Sequence, residues 1–217
     1  GGGAAGSGKS YALLMEPLRH LTTVPGFGAV TFRRTAVQVR NEGGLWDTSE
    51  ELYGHLGLKA KESVLEWEHT PTGNAHKFAH LEHEKNILDW QGSQIPLIQF
   101  DELTHFTAKQ FWYMLSRNRS TCGVRPYVRA TTNPDADSWV AELIAWWIDQ
   151  DPASPTYGLP IPERSGVIRW FVRLSGEMHW ADDPDELRMR FPGSEPKSLT
   201  FIAATLDDNP ALTSNDP

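Results

Sequence analysis

Short apolar runs along the chain follow two spacings, the twofold alternation of β-strands and the longer period of amphipathic helices. Strands are predicted over residues 29–32, 95–100, 127–131, 167–174 and 199–203. Helices are predicted over residues 11–15, 45–56, 107–116, 138–148 and 184–191. Strands that alternate with helices favour an α/β fold with a mostly parallel central sheet flanked by helices.

Turn residues divide these elements. Pro71-Thr72-Gly73-Asn74 separates two alternating runs, at 63–68 and 76–82, which predicts a β-hairpin. The run at 177–180 is expected to pair with the strand at 167–174, whereas the proline-rich residues 151–163 are expected to form a loop. We expect one domain over residues 1–206, followed by a tail or linker over residues 207–217.

The residues Gly3-Ala4-Ala5-Gly6-Ser7-Gly8-Lys9-Ser10 match the phosphate-binding pattern G-x-x-x-x-G-K-[ST] at every required position. The glycines let backbone N–H groups close around a phosphate, Lys9 can reach the β- and γ-phosphate oxygens, and Ser10 can place its hydroxyl on Mg²⁺. The alternative, a flexible glycine linker, gives no reason for Gly-Lys-Ser to precede an apolar helix. The motif therefore predicts a site for a nucleoside triphosphate.

A phosphate-binding loop normally follows a buried strand, and no strand pattern precedes Gly3. We therefore expect the first strand of the sheet to be truncated. The residues that would hold the adenine are expected to lie outside this chain.

A second motif, Asp101-Glu102, follows the apolar strand at 95–100. An acidic residue at the carboxyl end of such a strand lies beside the phosphate loop in this fold class, so Asp101 is placed to hold Mg²⁺ through its water shell. Glu102 is placed to orient and deprotonate an attacking water. The alternative is a solvated acidic turn. Together with the loop, the pair favours hydrolysis of the nucleotide.

The residues Thr131-Thr132-Asn133 end the next strand, and Pro134 after them fixes a turn. Polar side chains at this position can contact the γ-phosphate or the attacking water, and so report whether ATP has been cleaved. An ordinary Asn-Pro turn is the alternative. The position of the motif one helix after Asp101-Glu102 favours the sensor.

Composition narrows the class of protein. The formal net charge is −8, which argues against a surface that coats nucleic acid throughout. A single cysteine, Cys122, excludes an internal disulfide and fits a reducing compartment. No apolar run approaches the ~20 residues that a membrane-spanning helix needs, and no membrane partner is expected.

Together the motifs resemble the ATPase domain of the large terminase subunit, the motor that packages DNA into the capsids of tailed phages and related viruses. Further matching segments are Phe32-Arg33-Arg34-Thr35, Leu103-Thr104-His105-Phe106, Ser116-Arg117-Asn118-Arg119-Ser120 and residues 201–210. The resemblance spans nearly the whole chain. The phosphate loop alone is generic, whereas this combination in this order is specific.

The resemblance implies a P-loop NTPase fold of the additional-strand type and a Mg²⁺-dependent ATPase. By position, it implies that Lys9 and Glu102 are catalytic, that Ser10 and Asp101 hold Mg²⁺, and that nucleotide is bound by Gly3, Ala4, Ala5, Gly6, Ser7, Gly8, Lys9, Ser10, Thr131, Thr132 and Asn133. The last three would couple hydrolysis to DNA movement. The family's nuclease domain is not expected within this chain.

The same resemblance implies the partners of the protein. They are double-stranded DNA, a portal protein, a small terminase subunit and further copies of the chain in a ring. The protein would act in the host cytoplasm and transiently on the procapsid.

Many terminases carry an arginine inside the phosphate loop, where this chain has Ala4-Ala5. The charge of the transition state still needs a cation. Candidates within the subunit, or acting on a neighbour's site, are Arg33, Arg34, Arg117 and Arg119, of which Arg34 and Arg119 are carried forward as catalytic candidates. The alternative for each is a salt bridge or a contact with a DNA phosphate.

Two other functions stay open at this point. One is another P-loop DNA-translocating ATPase, such as a helicase, and the other is a P-loop nucleotide switch or small-molecule kinase. A zinc site among His69, His76, His80 and His83 is disfavoured, because the segment alternates like a strand and no cysteine joins it. The pairs Asp182-Asp183 and Asp207-Asp208 precede prolines, which favours capped turns over a two-metal nuclease site.

Overall fold

The protein was analysed as a computed structural model that describes residues 2–3, 8–133 and 136–204. Its strands are β1 Gly2–Gly3, β2 Gly28–Arg33, β3 Lys59–Lys61, β4 Glu66–His69, β5 Asn74–His80, β6 Leu97–Phe100, β7 Tyr127–Ala130, β8 Ile168–Leu174, β9 Glu177–Ala181, β10 Lys197–Thr200 and β11 Ala203–Ala204. Its α-helices are α1 Lys9–Met15, α2 Leu18–Leu21, α3 Ala36–Arg40, α4 Leu45–Tyr53, α5 Ala108–Leu115, α6 Trp139–Leu143 and α7 Pro184–Arg190. Short 3₁₀ turns occupy Glu62–Val64, Glu84–Trp90, Leu103–His105, Ala145–Trp147 and Pro162–Arg164.

Within these ranges, the largest sheet has six strands in the order β3-β4-β5-β2-β6-β7. β5, β2, β6 and β7 run parallel, and β3 and β4 add antiparallel pairs at one edge. Parallel strands end at the same edge of a sheet. Arg33 ends β2, Asp101 follows β6 and Thr131 follows β7, so these three residues converge at that edge.

The two faces of this sheet are covered by separate apolar clusters, because successive residues of a strand point to opposite sides. On one side, α1, α2, α3 and α4 pack with Leu14, Leu21, Val39, Leu45, Trp46 and Tyr53 against Ala29, Phe78 and Leu97. On the other side, Phe106, Phe111, Met114 and Val140 pack against Val30, Phe32, Ile98 and Phe100. The predicted α/β fold with helices on both faces of a mostly parallel sheet is therefore confirmed.

A second, antiparallel sheet follows in the order β10-β8-β9. β8 and β9 form the predicted hairpin, and the earlier hairpin between β4 and β5 is also confirmed. α7 packs on this second sheet through the buried side chain of Leu187. No helix in the described ranges has the length and apolar character needed to cross a membrane.

Three predicted elements differ in the structure. The helix predicted over 138–148 is α6 followed by a 3₁₀ turn, with the break at Ile144. The helix predicted over 45–56 ends at Tyr53. The single strand predicted over 199–203 is wrong: β10 pairs with β8, whereas β11 pairs in parallel with β1.

The strand ahead of the phosphate-binding motif is short, as predicted. β1 contains two residues, and its parallel partner β11 comes from the far end of the described chain. Two residues match the expectation of a truncated first strand.

Candidate nucleotide-binding site

The phosphate-binding motif leads directly into α1, whose first residues are Lys9 and Ser10. Gly8 precedes them with a φ of 74°, a left-handed conformation that suits glycine. Gly3 ends β1. The other predicted members of the loop, Ala4, Ala5, Gly6 and Ser7, lie outside the described residues.

The side chain of Lys9 joins two of the predicted nucleotide-binding segments. Its ammonium group donates a hydrogen bond to Oδ1 of Asn133 and lies 3.4 Å from the carbonyl oxygen of Thr132. Partial burial lowers the pKa of Lys9, and the nearby carboxylates of Glu102 and Asp101 oppose that shift. The start of α1 and the end of β7 therefore meet at a cation, which is the charge that a phosphate chain requires.

Asp101 is the buried centre of the site, and three side chains donate hydrogen bonds to its carboxylate. The Ser10 hydroxyl lies 3.2 and 3.1 Å from Oδ1 and Oδ2. Thr131 Oγ1 donates to Oδ1 at 2.7 Å. Arg33 donates to Oδ2 through Nε at 2.8 Å and through a terminal nitrogen at 2.5 Å. Residues of α1, β2 and the segment after β7 are thus fixed to one carboxylate.

The oxygen atoms of Ser10 and Asp101 fit a magnesium ion. Mg²⁺ prefers hard oxygen ligands and is usually held by one or two protein groups, with phosphates and waters completing an octahedron. In the described ranges, no cluster of three or more His, Cys, Asp or Glu side chains forms an all-protein cage. The buried Oγ1 of Thr132 has no hydrogen-bond partner among the described residues, so a polar ligand at this edge would satisfy it.

Arg33 neutralises Asp101 inside the protein. The carboxylate is 1% exposed and the guanidinium-bearing side chain is 21% exposed. A buried carboxylate without a cation is costly, which accounts for an arginine at the end of β2. Arg33 also donates to the carbonyl oxygen of Gln38, at 3.2 Å, so its head group is held between α3 and β6.

Glu102 adopts an uncommon backbone conformation with a φ of 61°. Its N–H donates to Thr131 Oγ1 at 2.9 Å, and the next N–H, of Leu103, donates to the Thr131 carbonyl at 2.8 Å. A left-handed residue other than glycine is strained, and such strain clusters at functional sites. The Glu102 carboxylate leaves the sheet edge, is about half exposed, and contacts Nδ1 of His105 at 3.0 Å.

The other candidate arginines lie in different surroundings. Arg34 donates to the carbonyl oxygen of Leu81 at 2.9 Å and to Oε1 of Gln110 at 3.1 Å. Arg117 lies over the ring of Tyr113, 5.4 Å from its centroid. Arg119 is exposed in the loop after α5. Of the candidate arginines that the structure describes, Arg33 is therefore the one that contacts Asp101.

Sequence reasoning missed the two partners that fix the acidic motif. It took Thr131 as a sensor of phosphate, whereas the structure also shows it bonded to Asp101 and to the backbone of Glu102. It did not connect Arg33 with Asp101. The signal was available in part, because both residues stand at the carboxyl ends of predicted parallel strands, but the order of those strands was not.

The remaining sequence candidates occupy structural positions. His76 is fully buried between Thr31 and Tyr53. Asp183 caps α7 by accepting from the N–H of Asp185 at 2.8 Å. Asp182 accepts from Nε of Arg169 at 2.8 Å. The pair Asp207-Asp208 and Pro134 lie outside the described residues.

Comparison with known families gives one match across the chain. The model for the terminase large subunit, T4likevirus-type, N-terminal region covers residues 1–217. No curated protein matches.

Solved structures similar to this chain are phage large terminases. The ATPase domain of the Thermus phage P74-26 large terminase, in mutant form, has a TM-score of 0.51 at 14% identity, over 74% of this chain and 71% of that one. The large terminase of another thermophilic bacteriophage has a TM-score of 0.50 at 14% identity, over 65% and 35%. The HK97 large terminase has a TM-score of 0.50 at 12% identity, over 76% and 36%.

These likenesses show the fold. The chain matches about a third of the length of the last two large terminases. Its mixed α/β architecture is that of the terminase ATPase domains, which are P-loop NTPases.

Proposed function

This chain belongs to the terminase large subunit family as its N-terminal, T4likevirus-type domain, and from that membership we propose that it is the Mg²⁺-dependent ATPase that drives double-stranded DNA into a procapsid. The observation that carries the proposal is the convergence on Asp101. Ser10 from the phosphate-binding motif, Arg33 and Thr131 all bond to this carboxylate, and Glu102 follows it directly.

In this proposal, ATP binds at the start of α1. Lys9 exchanges its contacts with Asn133 and Thr132 for phosphate oxygens, because a phosphate chain offers the ammonium group a stronger, charge-assisted hydrogen bond. Ser10 and Asp101 hold the metal ion. When bound, Mg²⁺ supplies positive charge to the phosphates.

Glu102 would orient the attacking water and accept its proton. The N–H groups of Glu102 and Leu103 are fixed to Thr131, so the carboxylate projects from a rigid turn. A positioned base of this kind typically contributes 10²–10⁴-fold to a rate. The contact with His105 fixes one carboxylate oxygen, and the other is available for water.

The exchange at Lys9 also supplies a route from nucleotide to motion. Once Lys9 moves to a phosphate, Asn133 loses its bond to the ammonium group. The turn Thr131–Asn133 would then change its contacts with nucleotide state, which is the coupling role that the family resemblance implies.

The cation for the transition state has three candidates in this proposal. Arg33 lies in the site on Asp101. Arg34 would have to leave Leu81 and Gln110 before it could reach a phosphate. Arg119 is exposed and is the candidate to act on a neighbouring subunit's site. We further propose the partners that the family implies: DNA, a portal protein, a small terminase subunit and a ring of subunits in the host cytoplasm.

The test is phosphate release from ATP by the purified chain. We expect release that requires Mg²⁺ and needs no added phosphate acceptor. Glu102→Gln should lower turnover by about 100-fold or more, because the water loses its base, while nucleotide affinity changes by no more than a few-fold.

The matched control is Glu82→Gln, which neutralises an exposed carboxylate elsewhere and should leave turnover unchanged. Steady hydrolysis by Glu102→Gln at the wild-type rate would remove Glu102 from the mechanism. Phosphate transfer that depends on a small acceptor would instead favour a kinase.

A further inference from the structure

Four polar side chains lie buried in the apolar layer between the central sheet and the helices α1 and α4. They are Thr31 of β2, Tyr53 of α4, His76 of β5 and Gln99 of β6, each 0% exposed. Thr31, His76 and Gln99 come from three neighbouring parallel strands and point to one face of the sheet. The proposed hydrolysis assigns no role to any of them.

The four side chains form one chain of hydrogen bonds that begins and ends on α1. Gln99 Nε2 donates to the Leu13 carbonyl at 2.9 Å, and Gln99 Oε1 lies 2.7 Å from Thr31 Oγ1. Thr31 Oγ1 lies 2.7 Å from His76 Nε2. His76 Nδ1 lies 2.8 Å from the Tyr53 hydroxyl, which contacts the Leu14 carbonyl.

A count of protons shows that this chain cannot be complete with a neutral imidazole. There are five contacts, and both ends are carbonyl oxygens that only accept. Gln99, Thr31 and Tyr53 can each place one proton in the chain, and a neutral imidazole adds one more. Four protons serve five contacts, so one contact must lack its hydrogen bond.

A charged imidazolium would supply the fifth proton, but the site does not favour it. Complete burial lowers the pKa of His76 to about 3, so the ring is neutral at physiological pH. Burying an unpaired charge costs more than leaving one hydrogen bond unmade. The missing bond is therefore set by which ring nitrogen carries the single proton.

The two tautomers hold α1 in different ways. With the proton on Nε2, His76 donates to Thr31, Thr31 to Gln99 and Gln99 to Leu13, so the connection from β6 to α1 is complete and Tyr53 must choose between His76 and Leu14. With the proton on Nδ1, His76 donates to Tyr53 and Tyr53 to Leu14, so the connection from α4 to α1 is complete and Thr31 is short of a proton.

The ends of this chain stand close to the nucleotide site. Leu13 and Leu14 belong to the same helix as Lys9 and Ser10, and Gln99 stands two residues before Asp101, which follows the same strand. A nucleotide held between Lys9, Ser10 and Asp101 would bridge α1 to β6, which is the connection that the Nε2–H tautomer completes.

We propose that His76 is a positioning residue whose two neutral tautomers hold the phosphate-loop helix either to β6 or to α4, and that nucleotide binding selects the tautomer protonated on Nε2. The proposal rests on the proposed function in one respect, that nucleotide binds at Lys9 and Ser10. Thr31 and Tyr53 are the neighbours through which the choice reaches Leu13 and Leu14.

The test is the protonation state of the two ring nitrogens of His76, read from long-range ¹H–¹⁵N correlation spectra of the whole chain with and without ADP and Mg²⁺. We expect a mixture of tautomers without nucleotide and the Nε2–H form with it. A merely structural histidine would show one tautomer in both samples, and that result would overturn the proposal.

Two variants make the test sharper. Tyr53→Phe removes the hydroxyl and two contacts, which leaves three contacts and three protons, so His76 should be Nε2–H even without nucleotide. Tyr113→Phe, which removes a tyrosine hydroxyl on α5, should behave as wild type. If Tyr53→Phe does not fold, the wild-type spectra still decide.

The outcomes separate this proposal from the one before it. Nucleotide binding is followed in the same samples through the amide signals of Lys9 and Ser10. Binding with an unchanged His76 tautomer would overturn only the role of His76. Spectra in which nucleotide leaves Lys9 and Ser10 unperturbed would overturn the nucleotide site and, with it, the role of His76.

Discussion

Asp101 is a buried carboxylate that receives five hydrogen-bond contacts among the described residues, from Ser10, Arg33 and Thr131. Arg33 supplies a full positive charge to it, so the carboxylate is neutralised by the protein itself. A second cation that binds at Asp101 would meet Arg33 at short range and would be repelled by it. The two cations therefore compete electrostatically for one carboxylate.

This competition predicts the behaviour of Arg33→Met. Removing the guanidinium leaves a buried carboxylate without its cation, and we expect a loss of about 2 kcal/mol or more in the free energy of unfolding. Because Mg²⁺ can replace the missing charge, millimolar Mg²⁺ without nucleotide should raise the urea midpoint of Arg33→Met more than that of the wild type.

Arg33→Lys is the matched control, because it keeps the charge and loses the paired N–H contacts. Its response to Mg²⁺ should lie nearer to that of the wild type. Equal Mg²⁺ dependence of wild type and Arg33→Met would show that Arg33 does not compete with a cation at Asp101.

Helix α5 illustrates how local sequence fixes an element that the site depends on. Thr107 accepts from the N–H of Gln110, and the Gln110 side chain accepts from the N–H of Thr107, which is a reciprocal capping box. Gln110 is fully buried, and its amide also donates to the Leu81 carbonyl and accepts from Arg34. The cap therefore connects the start of α5 with Arg34, directly after β2.

The prediction at this scale concerns Thr107. Thr107→Ala should lower the free energy of unfolding by about 1 kcal/mol, because one N–H at the helix start loses its acceptor. Thr107→Ser keeps the hydroxyl and should stay within a few tenths of a kcal/mol of wild type. Urea denaturation measures both, and an unchanged midpoint for Thr107→Ala would contradict a stabilising cap.

Several elements were predictable because their signals are local. The cap at Thr107, the hairpin around Pro71-Thr72-Gly73-Asn74, and the short helix that starts at Pro184 all follow from residues adjacent in sequence. The segment 199–203 was not predictable in this way. Its alternation is continuous, but β10 and β11 pair with strands of different sheets. A change of partner leaves no mark on the periodicity.

The helix at 138–148 fails for a related reason. Apolar residues recur along it at helical spacing, yet the α-helix stops at Leu143 and a 3₁₀ turn follows. The buried ring of Trp147 donates from Nε1 to the Val167 carbonyl at 3.1 Å. That contact is with a residue 20 positions away, so tertiary packing rather than local preference sets the end of α6.

For the whole molecule, the order of the strands decides the site. β6 lies between β2 and β7, so Asp101 has Arg33 on one side and Thr131 on the other. The sequence predicted each strand and the acidic motif at the end of β6. It did not reveal which strands are neighbours, and for that reason the pairing of Arg33 with Asp101 appeared only in the structure.

The same geometry makes the central claim open to a direct test, because the account places the phosphates of ATP where Lys9, Ser10 and Asp101 meet. The measurement is a titration of the chain with a fluorescent ATP analogue and Mg²⁺, comparing wild type with Lys9→Ala and with Lys109→Ala. Lys109 is the matched control, since it is an exposed lysine of α5 whose ammonium group pairs with Glu84.

We predict that Lys9→Ala weakens nucleotide binding by at least about tenfold, because a charge-assisted contact with phosphate is worth about 1.5–3 kcal/mol. Lys109→Ala should bind as wild type. Nucleotide binding by Lys9→Ala with wild-type affinity would contradict the account, because it would show that the phosphates lie elsewhere.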